Sequence, residues 1–135
     1  MVTITGEYQG DFHCTAVHGP SGTALSTDAP KDNQGRGESF SPTDLVATAL
    51  ATCIATTMAI VGRRHGVEIG PVRYEVTKEM TTQGPRKIAR LKTRFWMPAA
   101  SRAVPEGMLE KAAHACPVHQ SLAPDVEKVI ELIWE

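Results

Sequence analysis

Three cysteines, Cys14, Cys53 and Cys116, are the side chains of this sequence best suited to covalent chemistry. A cysteine thiolate is a strong nucleophile, and oxidation takes it through sulfenic acid to a disulfide. Three is an odd number and too few for a structural disulfide framework, so each cysteine reads as chemistry or as core filling. Cys53 lies eleven residues past a helix start, on an apolar stripe. By position alone it is a small buried hydrophobe, as free cysteine usually is. Cys116 precedes Pro117, a natural first residue of a helical turn, which leaves Cys116 at or near an N-cap. Exposed N–H groups and the positive dipole end there favour thiolate over thiol, and the alternative is a kinked helix end holding a cysteine by chance. Cys14, between His13 and Thr15 on an expected strand, reads as structural. Only the fold could join Cys53 to Cys116, which are 63 positions apart (116 − 53).

Other chemistries fit the sequence less well. His114 and His119 flank Cys116, but Cys-x-x-His with no second close pair gives at most three local ligands, short of a structural zinc site. A metal module using Cys53, Cys116 and His119 is the outlying reading. His114 could lower a thiol pKa or simply face water at a helix end. No Gly-x-Ser-x-Gly elbow supports a serine hydrolase. Gly35-Arg36-Gly37 lacks the third glycine and the preceding strand of a phosphate cradle.

The elements that must position these residues follow from patterning. Thr3 to Tyr8, Phe12 to Val17 and Thr23 to Thr27, separated by Gly10 and by Gly19-Pro20-Ser21-Gly22, predict a strand meander. Ala29 to Glu38, rich in Pro, Asp, Asn and Gly, predicts a surface loop. Ser41-Pro42-Thr43-Asp44 supplies a capping serine, a proline at the first helical position and an acid at the third, so a helix starts at Pro42. It is expected to run to His65, with Arg63 and Arg64 against the negative dipole end and Gly66 as terminator. Val46, Ala49, Leu50, Cys53, Thr57 and Ile60 form one expected stripe, and Ala47, Thr48, Ala51, Thr52, Ala55, Thr56 and Ala59 form a small-residue face. Such a helix is expected to pack on most sides. Val72 to Thr81 and Arg86 to Met97 alternate around Gln83-Gly84-Pro85, predicting a β-hairpin with many charges on an open face. Pro105 to Ala115 predicts a second helix, which Pro117 breaks or restarts. Val126 to Trp134 fits helix or strand, and the branched and aromatic residues of Val129 to Trp134 favour a final strand. The fold class is α+β.

Bulk properties narrow the field further. At 135 residues and 41% hydrophobic content, one domain with a single core is expected over 1–135. Fourteen basic and fifteen acidic residues give a net charge of −1 without a basic block, which argues against a nucleic-acid partner. The start MVTITGEYQG shows no basic segment followed by an apolar one, so a cytoplasmic location is expected. Leu45 to Gly62 carries no charge over eighteen residues, the lower limit for a membrane span. Its alanine and threonine content suits burial in protein better than lipid, so no membrane partner is expected.

Ser41-Pro42-Thr43-Asp44-Leu45 leading to Cys53, then a hairpin, then Ala115-Cys116-Pro117-Val118, resembles the OsmC/Ohr family over most of the chain. The resemblance implies an intertwined homodimer in which curved antiparallel sheets wrap around long central helices, with active sites at the subunit interface. It implies a thiol peroxidase: the Cys53 thiolate attacks a hydroperoxide, becomes a sulfenic acid and condenses with Cys116 to a disulfide that an external dithiol or lipoylated protein reopens. No metal, flavin or haem is implied. Because desolvation disfavours a thiolate, a cation near Cys53 is a chemical requirement. Family enzymes use an arginine held by a glutamate. Arg36 is the candidate cation here, and Glu38 or Asp44 its carboxylate partner. The family's glutamate position, ten residues before the cysteine, is Thr43 in this chain. That departure favours an alternative reading, a non-catalytic dimer that binds a small apolar ligand or senses oxidants, and the capping box is an equal claim on Asp44.

Overall fold

The computed structural model describes all residues, Met1–Glu135. Two compact units are present, Met1–Val46 and Ala47–Glu135, with the boundary inside the long helix.

The first unit holds an antiparallel meander of β1 (Ile4–Tyr8), β2 (His13–His18) and β3 (Ala24–Asp28). The Gly19–Gly22 turn closes with His18 N–H donating to the Thr23 carbonyl at 2.8 Å, which fixes the register that sets His13 opposite Asp28. The β1–β2 turn is tighter than its sequence suggests. Gly10, Asp11 and Phe12 are successively left-handed, at φ of 85°, 53° and 60°. A phenylalanine there is a genuine outlier, costing about 1–3 kcal/mol, and it persists only where its surroundings over-determine it. The Phe12 carbonyl accepts from Ala29 N–H at 3.0 Å, and the Phe12 N–H donates to the Tyr8 hydroxyl at 3.4 Å.

The long helix α1 (Pro42–Arg64) begins as the sequence predicts. The Ser41 hydroxyl accepts from Asp44 N–H at 3.1 Å, while the Asp44 carboxylate accepts from Ser41 N–H at 2.9 Å. This reciprocal pair satisfies two N–H groups that the first turn would otherwise leave open. At the other end Gly66, at φ 73°, lets its N–H reach the Arg63 carbonyl (3.0 Å) and Val67 N–H reach the Gly62 carbonyl (2.9 Å). That is a Schellman stop. The buried stripe is Ala47, Leu50, Ala51, Ile54, Met58 and Gly62. It is rotated from the expected one: Thr52, Thr56 and Ile60 are exposed, and Cys53 is half-buried at the stripe's edge. Small residues let the backbone come close, so the closest packing gathers on the alanine and glycine side.

The second unit's sheet joins β4 (Arg73–Met80) antiparallel to β5 (Ile88–Met97), and β5 parallel to β6 (Glu127–Trp134). The sheet is therefore mixed, where antiparallel sheets were expected. The chain between β5 and β6 carries α2 (Met108–His114) and α3 (Pro117–Ser121), a crossover long enough to bring β6 back in the same direction. One face of β5 supplies Leu91, Thr93, Phe95 and Met97 to a core shared with the α1 stripe, Ile69, Val104, Leu109, Ala112 and Ala113. The other face carries cross-strand ion pairs. Arg90 stands between Glu79 (3.7 Å) and Glu127 (3.6 Å), and Arg94 between Glu75 (3.6 Å) and Glu131 (3.2 Å). Arg73 lies 4.5 Å over the Trp96 ring, opposite it in the register.

Candidate active site

The two sequence-distant cysteines come near one another in the second unit. Cys116 is fully buried, and Cys53 is close enough to raise its thiol. Both are free thiols, as is Cys14. Cys53 is held by its place on α1, between the core positions Leu50 and Ile54. Cys116 is held by the break that Pro117 imposes. A proline cannot donate to the preceding turn, so α2 ends at His114 and the chain restarts at Pro117 with Cys116 extended (φ −62°, ψ 144°) as N-cap. Its sulfur accepts from His119 N–H at 3.3 Å.

The N-cap position was expected to favour the Cys116 thiolate, but the balance goes the other way. Burial pushes this thiol up from its ordinary value, which outweighs the lowering by the His119 and Val118 N–H groups, and the hydrogen bond and charge of Cys53 raise it further. Desolvation is the largest of these causes, because the sulfur is fully buried and an anion there would lose its hydration. Cys116 is therefore a protonated partner for Cys53. Beside it, the His114 and His119 rings meet edge to face at 5.6 Å. Burial, with the nearby charges of Lys128 and His114, presses His119 toward its neutral form. His114 instead places Nδ1 2.9 Å from the Glu110 carbonyl oxygen at the end of α2. No group of three or more His, Cys, Asp or Glu side chains is arranged to hold a metal ion.

Arg36 lies in the first unit, and its carboxylate neighbour is a residue absent from the sequence reading. Its Nη2 is 3.8 Å from Asp28 Oδ1, and the same oxygen is 2.6 Å from His13 Nδ1. Of the partners expected for Arg36, Glu38 is exposed and Asp44 serves the helix cap. Asp28 could have been found by counting outward from the Gly19–Gly22 turn, which sets it across from His13. Thr43, at the family's glutamate position, has its hydroxyl 3.2 Å from that of Ser41, within the cap.

The family described as OsmC-like protein matches residues 35–131. A Psychrobacter arcticus 273-4 protein, described as an osmotic stress induced and detoxification response protein, is 35% identical with a TM-score of 0.85, over 98% of this chain and 96% of that one. The organic hydroperoxide resistance protein OsmC of Legionella pneumophila is 14% identical at TM-score 0.78, over 98% of this chain and 96% of its own. The organic hydroperoxide resistance protein OhrB of Bacillus subtilis is 16% identical at TM-score 0.71, over 98% and 97%. These last two bear on the fold alone. No curated protein sequence matches the chain. With residues 35–131 matching the family model and 35% identity to the Psychrobacter protein over nearly the whole of both chains, the chain belongs to the OsmC-like family.

Proposed function

We propose that this protein is a thiol peroxidase that reduces organic hydroperoxides or hydrogen peroxide. The observation that carries the reading is the proximity of Cys53 and Cys116, close enough for the Cys53 side chain to raise the Cys116 thiol. The Cys53 thiolate attacks the distal peroxide oxygen, and the O–O bond breaks. The leaving alkoxide takes a proton and departs as alcohol, or as water from hydrogen peroxide, while Cys53 becomes a sulfenic acid. Cys116 then attacks that sulfur, a disulfide forms and water is released. An external dithiol, free or carried on a lipoylated protein, reduces the disulfide and is itself oxidised, so the cycle needs no metal or organic cofactor. The half-buried Cys53 meets the substrate, and the buried, protonated Cys116 waits for the sulfenic acid. Arg36 is the cation proposed to favour the Cys53 thiolate, and the working form is a cytoplasmic homodimer.

The test is peroxide consumption with dihydrolipoamide. Wild type should turn over, Cys53→Ser should be inactive, and Cys116→Ser should stop after one equivalent or continue only slowly. A wild-type rate equal to that of Cys53→Ser would sink the reading.

A further inference from the structure

The proposed cycle leaves one proton without a taker. Cys116 is fully buried and that burial pushes its thiol up, so it enters the second step protonated, and a protonated thiol is a poor nucleophile. Its attack on the Cys53 sulfenic acid forms the S–S bond and breaks the S–O bond, whose electron pair leaves with the oxygen as hydroxide. The Cys53 sulfur is reduced, the Cys116 sulfur is oxidised, and the thiol proton must reach the hydroxide to release water.

The side chain placed to carry that proton is His119. Cys116 is the N-cap of α3 and His119 its third residue, two positions whose side chains share one side of a helix start, the geometry a capping box exploits. The Cys116 sulfur leans over this turn closely enough to accept the His119 N–H at 3.3 Å. The imidazole itself makes no hydrogen bond within the protein, so its unprotonated nitrogen is left as an acceptor. From α2 the His114 ring meets it edge to face at 5.6 Å. From β6 the charge of Lys128 acts on it, with that ammonium held by the Ala123 (3.2 Å) and Val126 (2.8 Å) carbonyls. Burial first, and then these two neighbours, keep the ring neutral and able to take a proton. His114 is committed elsewhere, with Nδ1 on the Glu110 carbonyl.

We propose that His119 is the base for the second thiol: it takes the Cys116 proton as that sulfur attacks Cys53 and passes it to the departing hydroxide, a role set by the juxtaposition of N-cap and third residue in α3. The inference rests on the two-cysteine reading of the site.

The experiment uses a step that needs no peroxide. In a Cys14→Ser background, dithiobisnitrobenzoate reacts with the half-buried Cys53 and releases one thionitrobenzoate. Cys116 then attacks the Cys53 mixed disulfide, closing the Cys53–Cys116 disulfide and releasing a second thionitrobenzoate and the thiol proton. The rate of the second release should climb through an imidazole titration, level off, and climb again as the thiol itself ionises. His119→Gln keeps the backbone N–H on the sulfur. It should erase the level stretch and slow the second release about tenfold at neutral pH, short of a full general-base effect because the thiol also sheds its proton to water. The first release should not change. His114→Gln should move the imidazole inflection to higher pH, since that ring lowers His119. Slowing by one factor at every pH is what a merely structural role gives, and it would overturn the inference, as would an unchanged second release. If His119→Gln disturbs the first release as well, His114→Gln decides: an inflection that stays put overturns the inference. A protein with no second release sinks the cysteine pairing and the base together. One that shows the full pH profile yet consumes no peroxide sinks the peroxidase reading alone.

Discussion

At the residue scale the central contrast is between two cysteines that share a contact and differ in exposure. Burial raises the Cys116 thiol, so the folded chain keeps a proton that the unfolded chain has lost above the ordinary thiol pKa. The stabilisation from this group is whole below that value and drains away as pH climbs from it through the raised value of the folded chain. In a Cys14→Ser, Cys53→Ser variant, the alkylation midpoint of Cys116 should still lie above that of a free cysteine, because burial, the largest cause, remains. It should lie below the wild-type midpoint, because the hydrogen bond and charge of Cys53 are gone. A midpoint at or below that of free cysteine would mean that the His119 and Val118 N–H groups dominate after all. The sequence made the N-cap visible through Pro117 but hid this balance. Dipole and capping are local and can be read from a dipeptide, whereas desolvation depends on what the rest of the chain packs over the sulfur.

At the element scale, the ends of α1 were legible because each is written in adjacent residues. Ser41→Ala removes half of the reciprocal cap and should cost about 1 kcal/mol. Gly66→Ala forces a side chain into a left-handed conformation and should cost about 1–2 kcal/mol. Urea unfolding measures both, and a change below a few tenths of a kcal/mol in either would show that the end frays without penalty. The helix's buried face was misread by a fraction of a turn. A stripe of alanines, threonines and scattered large residues gives weak periodicity, and Gly62, which faces Ile69 and Val104, carried no hydrophobic signal. The direction of β6 was hidden for another reason: alternation reveals a strand but not whether its neighbour runs with it. The acid beside Arg36 was missed because the search ran along the chain, when the pairing ran across two strands.

At the scale of the whole molecule, α1 leaves part of its surface open. A groove of about 530 Å³ is lined by Thr56, Ala59, Ile60, Arg63 and Arg64, and Ile60 is 47% exposed. The proposed homodimer would cover such a face, so Ile60→Glu should shift the protein toward monomer in light scattering after gel filtration, while Arg64→Gln at the groove's rim should not. A monomeric wild type would refute the dimer directly. The ion-paired face of the second sheet has a different consequence, one for how the chain finds its pairing. Glu131 must reach Arg94 from 37 residues away, and such distant pairing is slow to form and open to error. Sliding β4 by two residues in one direction sets Arg73 against Arg94, and sliding it the other way leaves Arg94 facing Thr77. The alternating charges therefore act as a ruler: a strand slipped by two residues forfeits these ion pairs, and in one direction sets like charges together. Screening by concentrated salt should blunt that ruler and lengthen the search, leaving the finished sheet little changed.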